Sequence, residues 1–257
     1  MACFKILGSC SGTEPMPDRH HTGIVLRAGE RNYFFDAGEN TSHTAYTQGV
    51  DLTLTRAVFI SHVHYDHIGG LMGLFWTIGK LHSRYGADLA DDAIKLFIPE
   101  TEVWTHTYAI LKGTEGGFRH PFGIEVASPS LGTFYRDENL SVTAFESHHL
   151  KRREDGLIRS FSYRVETEGK SAVFSGDVKD MEDLVPVVGE GCDLLLCETG
   201  HHKVRDVCEF AAAHKVKRLV FVHHGREILE ERPTVKEAAD ACPVPLCFAC
   251  DGMDVTL

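Results

Sequence analysis

Long hydrophobic runs are missing from the sequence. A helix that crosses a membrane needs about 18 or more consecutive apolar residues, and no segment approaches that length. Near the start of the chain, the apolar pair Ile6-Leu7 is followed at once by Gly8-Ser9, so the sequence does not predict a secretory signal peptide. We therefore expect a soluble, cytoplasmic protein with no membrane partner.

Positive charge is also scarce. Lys and Arg number 26 against 37 Asp and Glu, which gives a formal net charge of −11. A general nucleic-acid-binding surface needs a basic face that displaces counterions from phosphates. The composition therefore argues against such a surface, although a local basic pocket stays open.

The sequence contains no linker, repeat, charge block or low-complexity segment that would divide it. With 257 residues and a hydrophobic content of 43%, the chain is long enough to bury a large core. We predict a single domain over residues 1–257.

Short apolar runs rich in β-branched and aromatic residues recur along the chain and predict strands. Hairpin signals dominate the first half, and helical patterns interleave with the strands throughout. Residues 113–138 are rich in Gly, Pro and charge and are left unassigned. The mixture predicts an α/β sandwich with mixed sheets and helices on the outside. The predicted strands are 4–8, 22–28, 32–36, 56–60, 94–98, 140–145, 161–165, 172–174, 193–197, 219–222 and 246–249.

A dense group of potential metal ligands follows the predicted strand 56–60. His62, His64, Asp66 and His67 fall within six residues and are closed by a pair of glycines. Single histidines are mostly packing or surface residues, but that explanation does not account for an HxHxDH spacing. Imidazole and carboxylate together suit zinc, iron or manganese. The sequence therefore predicts a metal site at the end of this strand.

Three other strand ends carry ligand-type side chains. His148-His149 follows strand 140–145, Asp177 follows strand 172–174, and His223-His224 follows strand 219–222. Loops at strand ends are the usual location of chemistry on a rigid scaffold. Because a strand reverses its side-chain direction at each residue, one histidine of each pair can face a metal if the strand continues. The residues alone leave both pairs open.

This order of motifs resembles the metallo-β-lactamase fold hydrolases over nearly the whole chain. The first 70 residues resemble the ribonuclease Z branch in particular, on the segments Leu7-Gly8-Ser9-Cys10-Ser11-Gly12, Phe35-Asp36-Ala37-Gly38-Glu39 and Ile60-Ser61-His62. The resemblance implies an αβ/βα sandwich of two mixed β-sheets with helices on the outer faces. It also implies a hydrolase with two divalent metal ions, zinc first and manganese or iron as alternatives.

The resemblance further implies how the ligands divide. One metal would be held by His62, His64 and His149. The other would be held by Asp66, His67 and His223, with Asp177 bridging both. His149 is preferred over His148 because family members place several residues before this ligand, and His223 is preferred because it directly follows Val222. A hydroxide shared by the two ions would be the nucleophile, with Asp66 and Asp177 as the catalytic carboxylates.

The resemblance narrows the substrate class. Class B β-lactamases place Cys where this chain has Asp177, so the phosphodiesterase, glyoxalase and lactonase side of the superfamily is favoured. The tRNA-gripping arm of ribonuclease Z is replaced by the short segment 166–170, so tRNA is not expected as a partner. We predict a phosphodiester or another small anionic ester. Lactone or thioester hydrolysis, an iron-centred oxidoreductase and a non-hydrolytic metal protein are the alternatives, and a homodimer is one option for the assembly.

Further residues have two interpretations each. The loop Lys151-Arg152-Arg153 is either an anion clamp beside His149 or a solvated loop. Glu198 either orders a ligand histidine or is a solvated strand-end carboxylate, and Arg119-His120 has the same ambiguity. Among His201-His202, we expect His202 to reach the site if either does. The residues assigned to orienting a ligand or touching substrate are Glu198, His148, His202, His224, Arg152 and Arg153.

Overall fold

The computed structural model describes residues 1–87, 89–114, 117–118, 120 and 122–257. Its strands are β1 (Cys3–Gly8), β2 (Gly23–Ala28), β3 (Arg31–Ala37), β4 (Thr55–Phe59), β5 (Ala93–Phe97), β6 (Gly123–Ala127), β7 (Gly132–Arg136), β8 (Leu140–Glu146), β9 (Phe161–Thr167), β10 (Lys170–Phe174), β11 (Leu194–Thr199), β12 (Leu219–His224), β13 (Leu246–Phe248) and β14 (Asp254–Thr256). Its α-helices are α1 (Thr41–Thr47), α2 (Tyr65–Ile68), α3 (Leu71–Tyr85), α4 (Thr101–Thr114), α5 (Val185–Val188), α6 (Val204–Ala213), α7 (Arg226–Leu229) and α8 (Pro233–Ala241). Short 3₁₀ helices cover Leu52–Leu54 and Met181–Leu184.

The strands form two seven-stranded sheets. The first has the order β14-β1-β2-β3-β4-β5-β6, and the second has the order β13-β12-β11-β10-β9-β8-β7. In the first sheet β1, β2 and β3 pair antiparallel, and β3 to β6 pair parallel. In the second sheet β7 to β10 pair antiparallel, and β10 to β13 pair parallel. Both sheets are therefore mixed, and the predicted sandwich is confirmed.

Alternation along each strand divides its side chains between two apolar layers. In β3, Tyr33 and Phe35 point into the core between the sheets, whereas Phe34 points to the helices that cover the first sheet. In β12, Val220 and Val222 point into the central core, and Phe221 points to the helices on the second sheet. Because both faces of these strands are buried, they appear in the sequence as continuous apolar runs.

The unassigned segment 113–138 holds the end of α4 and two sheet-edge strands, β6 and β7. Four residues inside it, Glu115, Gly116, Arg119 and Pro121, lie outside the described residues. In β6 exposed and half-buried positions alternate, so the strand lacks the apolar run by which the central strands were recognised. No described helix is long and apolar enough to cross a membrane. The single domain stays a prediction.

Aromatic side chains fill the space between the sheets, so we expect truncating one of them to be costly. Phe35 is fully buried, and its ring centroid lies 5.2 Å from that of Phe59 and 5.8 Å from that of Phe174. Phe35→Ala should lower the free energy of unfolding by about 3–5 kcal/mol, measured by urea denaturation. The control Ile110→Ala, at a position 54% exposed, should stay within about 0.5 kcal/mol of the wild type. A loss below about 1 kcal/mol for Phe35→Ala would contradict the assigned packing.

Candidate metal centre

The predicted ligands meet where the strands of the two sheets end. The segment after β4 supplies His62 and His64, and α2 carries Asp66 and His67 in a single turn. The second sheet contributes residues that follow β8 and β10 and a residue near the end of β12. Side chains from separate parts of the sequence therefore converge at one edge of the sandwich.

One set of donor atoms contains three imidazoles and a carboxylate. The ligand-type atoms of His62, His64, His149 and Asp177 all lie within 4.8 Å of one another. Asp177 Oδ2 lies 3.7 Å from His62 Nε2 and 3.7 Å from His149 Nε2, and His149 Nε2 lies 3.5 Å from His64 Nδ1. We call this set the three-histidine group.

A second set uses the other oxygen of the same carboxylate. His223 Nε2 lies 3.2 Å from Asp66 Oδ2, 3.2 Å from His67 Nε2 and 3.3 Å from Asp177 Oδ1. His67 Nε2 lies 3.4 Å from Asp66 Oδ2 and 3.4 Å from Asp177 Oδ1. Ligands bound tetrahedrally at about 2.0–2.2 Å from zinc are roughly 3.3–3.6 Å apart. This set, the two-aspartate group, therefore encloses a space of the size of a divalent cation.

The hydrogen-bonding state of the donor atoms also fits a cation. His62 Nε2 and Asp177 Oδ1 are buried and have no hydrogen-bond partner among the described residues. A buried polar atom without a partner costs about 1–3 kcal/mol. Burial holds the pKa of His62 well below its usual value, so that its ring is neutral and has a free lone pair. A cation bound to these atoms would remove the cost.

Asp36 is a site residue that the sequence analysis missed. His67 Nδ1 donates a 2.6 Å hydrogen bond to Asp36 Oδ2, which directs the Nε2 atom of His67 towards the two-aspartate group. The backbone N–H and the hydroxyl of Ser61 also donate to this carboxylate, at 2.6 and 2.7 Å. Such carboxylate partners fix the tautomer and the orientation of a metal-binding histidine. The signal was present in the sequence, because Asp36 is a charged residue that directly follows the apolar residues Tyr33, Phe34 and Phe35 of β3.

Glu198 lies behind the site, in the position expected for a residue that orients histidines. It is fully buried and accepts hydrogen bonds from the backbone N–H groups of Val178 (3.0 Å) and His201 (2.9 Å). Its Oε2 atom lies 3.7 Å from His223 Nδ1. Burial alone would raise the pKa of Glu198, but the hydrogen bond from His201 and the nearby His223 ring lower it to about 2. Glu198 is therefore a buried anion that faces two imidazole rings.

The geometry separates the two histidine pairs. His149 faces the three-histidine group, whereas His148 Nδ1 donates to Asp183 at 2.6 Å and the ring is exposed. His223 faces the two-aspartate group, whereas His224 Nε2 donates to the carbonyl of Ala249 at 2.8 Å, away from the site. The preferred member of each pair is thus the one at the centre. That these side chains bind metal stays a prediction.

His201 lies at the site where we had expected His202. The Nδ1 atom of His201 lies 3.8 Å from Asp177 Oδ2, and its ring centroid lies 4.9 Å from that of His149. His202 instead donates from Nε2 to the carbonyl of Val178 at 3.1 Å. The path of the loop after β11 decides between these neighbours, and the sequence gives no direct sign of that path.

The basic loop is largely neutralised by carboxylates. Arg152 forms a bidentate ion pair with Glu146, and its Nε atom is 2.7 Å from the carboxylate. Arg153 pairs with Asp155 and with Glu102 of α4. Both arginines therefore already have anionic partners in this structure. Of the other basic pair, Arg119 lies outside the described residues.

An open cleft of about 330 Å³ gives access to the donor atoms. It is lined by Ser11, Gly12, His64, Asp66, Asp177, Gly200, His201 and His223. The three-histidine and two-aspartate groups both contribute to its wall, so a molecule in the cleft would contact both.

Comparison with known proteins identifies the family. A model of the beta-lactamase superfamily domain matches residues 31–224. The chain belongs to the metallo-β-lactamase superfamily. This membership makes it a metal-dependent hydrolase and agrees with the donor groups described above.

Its relatives include proteins named ribonuclease Z. The one from Methanopyrus kandleri is 36% identical, and the alignment covers 98% of this chain and 96% of that protein. The one from Cyanothece sp. is 28% identical, with 66% of this chain and 48% of the relative covered. The chain thus spans about half the length of the cyanobacterial relatives that it matches.

Solved structures show the same fold. The short form of human tRNase Z superposes with a TM-score of 0.72 at 22% identity, over 99% of this chain and 98% of that one. A diphosphatase from the PhnP family superposes with a TM-score of 0.67 at 17% identity, over 100% of this chain and 98% of that one. At these identities the likeness concerns the fold alone.

Loss of the Asp36 carboxylate should weaken metal binding. In Asp36→Asn the amide NH₂ cannot accept hydrogen bonds, so one of the donors from His67 and Ser61 loses its partner. We expect zinc affinity to fall about 10- to 100-fold, measured by competition with a chromogenic zinc chelator. The control Asp92→Asn changes an exposed aspartate and should bind zinc as the wild type does. Equal affinities for the two variants would contradict the orienting role.

Zinc uptake should release protons. Burial lowers the pKa of His223, but Asp177, Asp66 and Glu198 raise it to about 10. The pKa of His67 is likewise held well above its usual value because Asp177 and Asp36 outweigh burial. Near pH 7.5 the ring of His223 in the metal-free protein is thus protonated on both nitrogens, and metal binding must displace one of these protons. Calorimetric heats of zinc binding should depend on the ionisation enthalpy of the buffer, and identical heats in all buffers would contradict this.

The same pKa shift makes the stability of the metal-free protein depend on pH. Since the pKa of His223 rises from 6.5 to about 10 on folding, its contribution is fully present below pH 6.5. It is lost as the pH rises through about 10. Urea denaturation in the presence of a chelator should therefore show stability that falls between these two pH values. Stability that increases over that range would contradict the shift.

Proposed function

We propose that the protein is a dinuclear metal-dependent phosphodiesterase. The observation that carries this proposal is the position of Asp177, whose two carboxylate oxygens belong to two different donor groups. A shared carboxylate between two sets of ligands is the arrangement expected for a pair of ions that act on one substrate. The superfamily membership supports the metal dependence.

The ligand assignment follows from the donor groups. His62, His64 and His149 would hold one ion, and Asp66, His67 and His223 would hold the other, with Asp177 bridging. Two such ions would supply a water of lowered pKa and would neutralise the charge that develops on the phosphoryl oxygens. The histidine and aspartate donors are compatible with zinc, manganese or iron, with zinc as the first expectation.

The other side chains at the site have roles that their contacts suggest. Asp36 would fix the orientation of His67 through its hydrogen bond, and the Glu198 carboxylate faces His223 at 3.7 Å. Asp66 lines the cleft and can accept a proton from the attacking water. His201 lines the same cleft while its Nδ1 atom bonds to Glu198 at 3.0 Å. This ring is therefore placed to give a proton to the leaving oxygen.

A small phosphodiester is favoured over tRNA. The net charge of −11 offers no general surface for a polynucleotide. Strands β9 and β10 are joined by Glu168 and Gly169 alone, so no arm extends from this hairpin. Processing of tRNA is the second candidate function, and the similarity of the whole chain to the ribonuclease Z of Methanopyrus kandleri favours it. Assembly into a homodimer stays a prediction.

Replacement of Asp177 tests the proposal most simply. Asp177→Asn should lower kcat/KM for bis-p-nitrophenyl phosphate on the order of 10³-fold, because both donor groups lose an anionic oxygen. Asp240→Asn, at an exposed position in α8, is the matched control and should retain activity. The proposal fails if the zinc- or manganese-loaded protein does not hydrolyse this diester, or if Asp177→Asn remains active.

A substrate panel distinguishes the alternatives. The metal-loaded wild type should hydrolyse the diester faster than a lactone or a thioester, and faster than it cleaves a tRNA precursor. Faster hydrolysis of the carbonyl compounds would favour a lactonase or thioesterase. Faster cleavage of the precursor would favour tRNA processing. A coloured, iron-rich protein without any hydrolase activity would favour the oxidoreductase alternative.

A further inference from the structure

A second opening lies beside the cleft. It is a groove of about 490 Å³ lined by Glu146, His148, His149, Leu150, Lys151, Arg152 and Lys179. His149 forms part of its wall, and the Nε2 atom of this residue is 3.5 Å from His64, which lines the cleft. A molecule that sits over the three-histidine group can therefore extend into this groove.

Two cations in the groove have no anionic partner among the described residues. Arg152 is paired with Glu146, and His148 is paired with Asp183, so these charges are balanced within the protein. Lys151 and Lys179 are exposed, and no carboxylate of the described residues forms an ion pair with either. In a chain with a net charge of −11, two unpaired ammonium groups in one groove beside a metal centre give it a local positive charge.

The backbone ties the two lysine-bearing segments together. The backbone N–H of Lys179 donates to the carbonyl of Ser147 at 3.2 Å and to Asp183 Oδ2 at 3.0 Å. The N–H of Leu150 donates to the hydroxyl of Ser160 at 3.1 Å. Because both segments are anchored, the ammonium groups start from fixed backbone positions, and less conformational entropy is lost when they bind an anion.

We propose that Lys151 and Lys179 bind a second phosphate group of the substrate. This proposal rests on the proposed phosphodiesterase activity. It assigns the substrate to small phosphodiesters that carry a phosphomonoester at one end. Lysine recognises phosphate as a compact point charge, and a phosphomonoester carries up to two negative charges to match two ammonium groups. The neighbouring Arg153 is paired with Asp155 and Glu102, so the basic surface ends after one phosphate and does not continue as a track for a strand.

The test uses two substrates that differ in one phosphate. One is thymidine 5′-(p-nitrophenyl phosphate), and the other is the same compound with a 3′-phosphate. For the metal-loaded wild type we expect kcat/KM to be on the order of tenfold higher for the 3′-phosphorylated compound at low salt. This ratio should shrink as the ionic strength rises, because the ammonium groups are exposed.

The variant Lys151→Gln/Lys179→Gln should reduce the ratio of the two kcat/KM values to about one. Lys236→Gln, on α8 at an exposed position, is the control and should keep the wild-type ratio. A wild-type ratio near one, or an unchanged ratio in the double variant, would overturn the phosphate subsite while diester hydrolysis itself still stands. Inactivity on both compounds would instead refute the phosphodiesterase proposal and the subsite with it.

A series of oligonucleotide substrates distinguishes recognition of a small molecule from recognition of a nucleic-acid strand. Thymidine oligonucleotides of increasing length, each with the same p-nitrophenyl ester, should give no gain in kcat/KM beyond the first added phosphate. A continued rise with length would overturn the assignment to small substrates, because it would show that the basic surface follows a polynucleotide.

Discussion

The negative charge of the Asp177 carboxylate offsets the electrostatic repulsion between the imidazole rings that surround it. His67 and His223 lie within 3.4 Å of one of its oxygens, and His62 and His149 lie 3.7 Å from the other. Burial works against ionisation of this carboxyl, yet His223 and His67 hold its pKa well below the usual value. The site is thus a compact arrangement of opposite charges, and divalent ions would take the place of the protons that now keep it balanced.

Side chains can be held this close together only by a rigid backbone, and the two sheets provide that rigidity. Gly176 precedes Asp177 with a φ of +55°, and a Cβ there would come within 2.8 Å of Ser61. A Cβ on Gly200 would lie 2.6 Å from His223 Nδ1. At both positions glycine lets a loop of the second sheet approach side chains that the centre depends on. The aromatic core between the sheets holds the two halves of the site at the spacing that the donors need.

Much of this architecture could be predicted from the sequence because ligands at strand ends follow visible apolar runs. HxHxDH, Asp177 and the two histidine pairs were all found in this way. Asp36 was missed as a site residue because it lies inside β3, not after a strand end, and acts on His67 from behind the donor groups. The strands β6, β7 and β14 were missed because exposed positions interrupt their apolar residues, so they lack the continuous apolar run of the central strands.

Other features depend on the three-dimensional path of loops, which no local pattern reveals. His201 and His202 are adjacent in sequence, and the turn after β11 alone decides which one faces Asp177. The arginines of the basic loop were candidates for substrate binding, but Arg153 pairs with Glu102 from a distant helix. Within the described part of the chain, the cations of the groove without an ion pair are instead Lys151 and Lys179, which lie on separate loops and come together through tertiary structure.

The central claim is that Asp177 joins two metal sites. Anomalous diffraction from crystals grown with zinc, recorded on both sides of the zinc absorption edge, tests it most directly. The account predicts two peaks per chain, one within bonding distance of the three-histidine group and one within bonding distance of the two-aspartate group, each touching a different oxygen of Asp177. A single peak, or two peaks of which one does not contact Asp177, would contradict it.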